Sequence, residues 1–129
     1  MKKIGMFILL AVLLTGCSKK EVPVTRVVTG VQVEYDGHGE TIFRTYSRPS
    51  SVQSVLTYLR ILRPFGPTIP EGEFDSTCQI TLHYSHGPDS VYLQQGNKYI
   101  CRDGGEWQNI DNSRANLIYP LLLLLPSDA

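Results

Sequence analysis

Along residues 27–46, apolar and polar side chains alternate, which is the pattern of a β-strand with one buried side. Val31, Val33 and Tyr35 fall on one side of the extended backbone, with polar residues between them. Residues 36–39 read Asp-Gly-His-Gly, a composition that tolerates a tight turn. The segment is therefore predicted to form a β-hairpin.

In residues 49–63 the apolar positions recur with the period of an α-helix, about 3.6 residues. These positions are Val52, Val55, Leu56, Leu59 and Leu62. Ser50 and Gln53 have the spacing of a capping box, and Pro64 ends the segment. We predict one amphipathic helix whose apolar face packs on a sheet.

Residues 64–75 contain three prolines and two glycines, a composition that suits neither a helix nor a paired strand. We predict a loop whose apolar residues Phe65, Ile69 and Phe74 are tucked against the domain. Which face of the sheet this loop crosses stays open.

Residues 77–110 are predicted to form a four-strand meander, because turn-forming residues separate four short apolar runs. The predicted strands are residues 77–85, 90–95, 98–102 and 106–110. If the turns close with residues 86–89 and 96–97, Leu82 pairs with Leu93, which in turn pairs with Ile100. One face is then aliphatic and carries Ile80, Leu82, Val91, Leu93, Ile100 and Ile110.

Asp111 or Asn112 is predicted to cap a final helix that packs through Leu117, Ile118 and residues 121–125. Pro120 must kink or restart this helix. The elements together predict an α+β fold, with an antiparallel sheet made of the hairpin and the meander and two helices packed on one face.

The composition is that of a single small folded domain. The chain has 129 residues, of which 42% are hydrophobic, and its 12 basic and 12 acidic residues balance. This charge balance gives no reason to expect a nucleic-acid partner.

The N-terminus has the layout of an export signal, with Lys2 and Lys3 before an apolar run at residues 4–14. The run is short for a transmembrane anchor, which needs about 20 apolar residues. Leu14-Thr15-Gly16-Cys17 follows and resembles the lipobox of bacterial lipoproteins. The resemblance implies cleavage before Cys17 and attachment of lipid, such as palmitate, to its thiol. A permanent membrane anchor and an ordinary secretory signal are the alternatives.

This interpretation divides the chain into four parts. Residues 1–16 are a cleaved lipoprotein signal peptide and residues 17–25 a lipidated tether. Residues 26–126 form the α+β domain, and residues 127–129 a polar tail. The domain resembles the small lipoprotein domains of bacteria that join a hairpin, a helix, a meander and a final helix, a likeness that implies no particular activity.

Cys78 and Cys101 are an even pair in an exported domain and form a possible disulfide. The predicted register puts them on opposite faces of the sheet. A bridge therefore requires a bulge that reverses one strand.

No metal site, cofactor or catalytic group is expected. His38 falls in a surface turn, and His83 and His86, three residues apart on a strand, point to opposite faces. The carboxylates of Glu71, Glu73 and Asp75 are expected to be solvated loop charges.

The face of the meander opposite the helices is predicted to carry His83, Tyr92, Tyr99 and Trp107. Aromatic side chains with polar tips are common at binding hot spots, so these four form a candidate binding face. The alternative is that the loop at residues 64–75 covers them and they belong to the core.

These expectations combine into one function. The chain is predicted to be a lipoprotein on the extracytoplasmic face of the cell membrane, and its domain a non-catalytic module that binds a protein or a small ligand. The alternative is a small extracytoplasmic enzyme, or an inhibitor of a cell-envelope enzyme.

Overall fold

The computed structural model describes residues 26–128. The predicted signal peptide, Cys17 and the tether lie outside the described residues. The strands are β1 (Val28–Gly37), β2 (Glu40–Tyr46), β3 (Thr77–Tyr84), β4 (Ser90–Gln95), β5 (Tyr99–Arg102) and β6 (Gln108–Asn109). The helices are α1 (Pro49–Ile61), α2 (Asn112–Ala115) and α3 (Ile118–Leu124).

The six strands form one antiparallel sheet in the order β2-β1-β3-β4-β5-β6. Side chains from one face of this sheet join α1 and α3 in a single hydrophobic core. The α+β class predicted from the sequence is thereby confirmed. Within residues 26–128, no helix combines the length and the apolar character needed to cross a membrane.

The predicted hairpin is present, and β1 pairs with β2 from Val31 opposite Tyr46 to Gly37 opposite Glu40. The turn at His38 and Gly39 uses positive φ angles of 54° and 76°. A glycine adopts such an angle at little cost, whereas a histidine does so less often.

Helix α1 packs much as predicted, with Val52 and Val55 buried, and Leu62, the C-cap residue that follows it, is buried as well. The largest buried side chain of α1 is Tyr58, which the apolar pattern did not single out. The predicted capping box is wrong, since the N-cap is Arg48 and no side chain of the first turn supplies a capping hydrogen bond.

The cap of α1 comes from the other end of the chain. The Asp128 carboxylate accepts hydrogen bonds from the backbone N–H groups of Ser47 and Arg48, each at 2.6 Å. Asp128 also donates its own N–H to the Thr45 carbonyl at 3.1 Å. Asp128, which the sequence places in the polar tail, therefore contacts the start of α1 and the end of β2.

The predicted register between β3 and β4 is wrong. Leu82 pairs with Ser90 instead of Leu93, a shift of three residues, because residues 85–89 form a wider connection than the predicted turn. Side chains alternate between faces, so an odd shift reverses a whole strand. Tyr92 consequently lies on the helix face, while Val91 and Leu93 lie on the outer face, and Leu93 is 37% exposed.

The pairing between β4 and β5 is also shifted from the predicted register, here by one residue, so that Gln94 and not Leu93 pairs with Ile100. Gln95 pairs with Tyr99, so the turn takes three residues, with Gly96 at a φ of 58°. The two reversals cancel, which returns Ile100 to the helix face as predicted. Between β5 and β6 the pairing of Ile100 with Gln108 agrees with the predicted register.

The C-terminal helix is divided, as the position of Pro120 predicts. Asp111 caps α2 by accepting the Arg114 N–H, and α3 then restarts with Pro120 in its first turn. Leu122 is buried, whereas Leu124 is 84% exposed, so only part of the predicted apolar run packs.

The loop at residues 64–75 starts alongside β6 as an extra bridged segment. Phe65 N–H donates to the Asn109 carbonyl, and Thr68 N–H to the Trp107 carbonyl. Phe65 is 70% exposed and Ile69 81%, so the expectation that these two side chains are tucked against the domain is wrong. Further along the loop, Phe74 packs against Tyr99 of β5.

Candidate ligand-binding cavity

The four residues predicted to share a binding face do not share one. Tyr92 lies on the helix face, half-buried against the core, with the Arg102 guanidinium 5.5 Å from its ring centroid. The register places His83 and Tyr99 on the outer face, at opposite ends of their strands. The predicted face is therefore wrong, because β4 is reversed.

The two outer residues also have neighbours of their own. His83 contacts Asp89 at 3.0 Å through Nδ1 and Gln32 at 3.1 Å through Nε2. Tyr99 packs edge to face with Phe74, with ring centroids 5.8 Å apart, so the loop covers it. Trp107, half-buried, lies beside the same loop.

Cys78 and Cys101 are both buried and both free, so the possible disulfide is absent from the structure. They lie on opposite faces, as the predicted register indicated, with β4 between their strands. Burial raises the pKa of the Cys78 thiol to about 12, and the Cys101 thiol donates to the Gly105 carbonyl at 3.2 Å. Neither thiol suits nucleophilic chemistry.

Across the described part of the chain, no three His, Cys, Asp or Glu side chains are arranged to hold a metal ion. His86 lies next to the Ser85 hydroxyl, at 3.2 Å, and does not meet His83.

A cavity of about 410 Å³ lies where β1, β4 and residues 71–76 of the loop meet α2 and α3. This volume falls in the usual range for small-ligand sites, about 300–1,000 Å³. The lining side chains that bear on its chemistry are Tyr35, His38, Glu71, Glu73, Asp75, Gln94, Lys98 and Tyr119. We call this space the His38 cavity.

One wall of the His38 cavity is aromatic. The His38 ring stacks on Tyr119 with centroids 3.8 Å apart and planes 12° apart. Tyr35 adds a third ring, 5.5 Å from that of Tyr119, and its hydroxyl lies 2.9 Å from His38 Nδ1. Burial is the main cause that raises the pKa of Tyr35, which keeps its hydroxyl neutral at physiological pH.

The backbone of the hairpin sets this wall. His38 holds a left-handed φ of 54°, a strained conformation that often marks a functional position. Gly37, next to it, has no room for a side chain: a Cβ there would lie 2.6 Å from Ser76 Cβ and 2.9 Å from the Tyr35 hydroxyl. The Tyr35 hydroxyl can therefore reach His38 only because residue 37 is glycine.

A hydrogen bond to Glu40 holds the Tyr119 side chain in place. Its hydroxyl donates to Glu40 Oε2 at 2.7 Å, and this hydrogen bond is the main cause that raises the pKa of Tyr119. A hydroxyl that donates to a carboxylate makes its ring more electron-rich. Such a ring is a better partner for a cation.

A buried glutamine forms part of the cavity lining. Gln94 is 3% exposed, its Nε2 donates to the Gly96 carbonyl at 2.9 Å, and its Oε1 accepts the Tyr58 hydroxyl at 2.5 Å. Desolvation raises the pKa of Tyr58, so its hydroxyl stays a donor. These bonds make this part of the lining rigid and leave the amide satisfied.

Carboxylates dominate the charge of the cavity. Among residues 26–128, Glu71, Glu73 and Asp75 line it together with one lysine, Lys98. Because fields add within a concave site, this excess of negative charge favours a positive ligand.

Sequence reasoning missed this site. His38 was interpreted as a turn residue, and Glu71, Glu73 and Asp75 as solvated charges, because nothing local links the hairpin to the loop. One signal was present: Gly37 ends a strand beside the turn, and a glycine there often marks a close approach of other atoms.

Comparisons of the chain with protein-family models, with curated proteins and with solved structures found no match. The function therefore has to be inferred from the chemistry of the site.

Proposed function

We propose that the chain is a lipoprotein, anchored through Cys17 on the extracytoplasmic face of the cell membrane, whose domain is a non-catalytic binding module. The charged start, the short apolar run and Leu14-Thr15-Gly16-Cys17 support the anchor. The His38 cavity supports the binding role, since it has the size of a ligand site and a rigid lining.

The ligand we propose is a small organic cation or an amine-bearing side chain. The observation that carries this proposal is an aromatic wall, made by Tyr35, His38 and Tyr119, in the same cavity as three carboxylates. Aromatic faces and carboxylates together are the usual recognition elements for ammonium groups.

The position of the cavity suits an anchored protein. Strand β1 begins next to the tether and runs for 10 residues to Gly37, beside His38. Ten residues of strand span about 30 Å, so the cavity opens at the end of the domain far from the anchor. A ligand outside the membrane can reach it there.

Choline tests the ligand class, with 3,3-dimethylbutanol as its uncharged counterpart of the same shape. Isothermal titration of the anchored protein in a non-ionic detergent should show binding of choline and none of the alcohol. Tyr119→Leu and Glu73→Gln should each weaken choline binding about tenfold, as expected for loss of a partly desolvated cation–π or charge contact. Glu106→Gln, a carboxylate outside the cavity, should leave it unchanged.

Equal binding of the two compounds, or no binding of choline at millimolar concentration, would contradict the proposed ligand class. The same would follow if Glu106→Gln acted as strongly as Glu73→Gln.

The anchor is tested separately by growing cells with a labelled fatty-acid analogue. Cys17→Ser should abolish the label, because only a thiol at this position can carry a thioether-linked lipid. Equal labelling of both proteins would show that the anchor is not at Cys17.

A further inference from the structure

A second concave site lies on the helix face, toward the end of the strands opposite to the His38 cavity. It is an open groove of about 670 Å³ between α1 and strands β3 to β6. Leu62, Leu82 and Ile100, all buried, line its base. Leu56 and Leu59 add further apolar surface, so most of the groove's interior is hydrocarbon, with the half-buried side chains of Tyr92 and Gln108 as its inner polar groups. We call it the Leu59 groove.

The charged groups of the Leu59 groove are its exposed lining residues. Arg60, on α1, and Arg102, on β5, are both exposed, and among the described residues Glu106 is the only carboxylate that lines the groove. The groove therefore has a positive balance, opposite to that of the His38 cavity. Arg102 Nε also lies 3.6 Å from the exposed Asp103 carboxylate, an ion pair that faces solvent and that a phosphate would have to displace or share. An apolar interior with guanidinium groups beside it matches an apolar chain that ends in an anionic group.

The groove also lies toward the tether. Leu82 pairs with Val31, and Tyr84, two residues on, pairs with Val28 at the start of β1. Arg26, the first described residue, places its guanidinium 4.1 Å from the Tyr84 ring centroid. The tether at residues 17–25 can span at most about 30 Å, which keeps this end of the domain near any membrane that holds Cys17.

We propose that the Leu59 groove takes one acyl chain of an anionic membrane lipid, with Arg60 and Arg102 contacting the headgroup phosphate. A peptide is a poorer occupant, because its backbone N–H and C=O groups would lose water over the buried leucine and isoleucine side chains, where Tyr92 and Gln108 supply too few polar partners for a row of them. The inference rests on the proposed anchor, which brings the domain to the membrane, and is independent of the ligand of the His38 cavity.

Photocrosslinking of the anchored protein tests the inference. The protein is reconstituted in vesicles of phosphatidylglycerol or of phosphatidylcholine, each with a diazirine in the acyl chain, and adducts are located by peptide mass spectrometry. The protein's own anchor carries no diazirine, so every adduct comes from a free lipid. We expect phosphatidylglycerol adducts on residues 56–62 and on Tyr92, several-fold more than from phosphatidylcholine.

Two variants and two matched controls decide the result. Leu59→Gln should lower the yield about tenfold, as a lost apolar contact in a pocket does, while Leu124→Gln, on exposed α3 surface, should not. Arg102→Gln, which changes an exposed residue and so spares the fold, should remove the preference for phosphatidylglycerol. Arg63→Gln, an exposed arginine that does not line the groove, should retain it.

The inference is overturned if no adduct forms on these residues, if both lipids react equally, or if the variants behave like their controls. An absence of adducts on the groove residues is also the result expected if an acyl chain of the protein's own anchor, or another protein, fills the groove. Fatty-acid labelling at Cys17 and choline titration have separate readouts, so a failure here is distinguishable from a failure of the proposed function.

Discussion

The Tyr58 hydroxyl donates a hydrogen bond to Gln94 Oε1 at 2.5 Å and so connects α1 to β4 inside the core. Tyr58 is 2% exposed and Gln94 3%. The bond exists only because β4 is reversed relative to the predicted register, which turns Gln94 toward the helix. It also links core stability to the His38 cavity, which Gln94 lines.

Tyr58→Phe is expected to lower the free energy of unfolding by about 1–3 kcal/mol, because the buried Gln94 carbonyl oxygen loses its donor. Urea unfolding followed by circular dichroism measures this. Tyr99→Phe, at a half-buried tyrosine on the outer face, is the control and should stay within about 0.5 kcal/mol. Equal losses in the two variants would mean that the hydrogen bond contributes nothing.

Leu62→Ala and Leu93→Ala test the register through two leucines with different burial. Leu62 is fully buried, so its truncation should cost about 2–5 kcal/mol. Leu93 lies on the outer face and should cost less than about 1.5 kcal/mol. A larger loss at Leu93, measured by thermal or urea unfolding, would favour the register predicted from the sequence.

Gly37→Ala should disturb the His38 cavity and the fold together. The new Cβ would contact Ser76 and the Tyr35 hydroxyl, an overpacking that costs about 1–3 kcal/mol. Choline binding should weaken in parallel. Gly66→Ala is the matched control, since a Cβ there meets nothing within 4 Å. Unchanged choline binding in Gly37→Ala would show that the Tyr35 position does not matter.

Asp128→Asn tests the long-range cap of α1. Hydrogen bonds from the Arg48 and Ser47 N–H groups hold the pKa of Asp128 below its ordinary value of 3.8. A lowered pKa in the folded state means that the stabilisation is present above pH 3.8 and is lost as pH falls through the folded-state pKa. The variant should therefore melt at a lower temperature than the parent at pH 7, and the gap should narrow below pH 3.8.

Melting curves recorded from pH 7 to pH 2 measure that gap. Asp75→Asn, on the exposed loop, is the control and should follow the parent protein at every pH. A gap between Asp128→Asn and the parent that stays constant over the whole range would mean that ionisation of Asp128 is not what stabilises the cap.

The free state of Cys78 and Cys101 predicts that peptides containing them will not be joined when the protein is digested without reductant. Both should react slowly with a thiol reagent in the native protein, since both are buried, and rapidly after unfolding. A joined pair of peptides in the non-reduced digest would contradict the strand arrangement, because the two cysteines lie on opposite faces.

Local pattern was enough to determine the elements and much of the core. Alternation over β1, the 3.6-residue period over α1 and the cap at Asp111 each depend on residues close in sequence, and each matches the structure. Ile80, Leu82, Ile100 and Ile110 were predicted to be buried and are buried. For Ile100 this agreement arises because the two odd register shifts cancel. Its burial is as predicted, although the predicted register of β4 with each of its neighbours is wrong.

Tertiary structure alone decided the face of β4, the cap of α1 and the two concave sites. The period of a strand shows which of its residues share a face, but it does not show which face meets the helices, because that depends on the length of the turn. The turn at residues 85–89 is set by contacts such as His83 with Asp89, which alternation cannot reveal. Asp128 reaches Arg48 across 80 residues, and the His38 cavity joins the hairpin, the loop and α3. Such contacts form only when distant segments pack together, and a pattern of neighbouring residues contains no information about them.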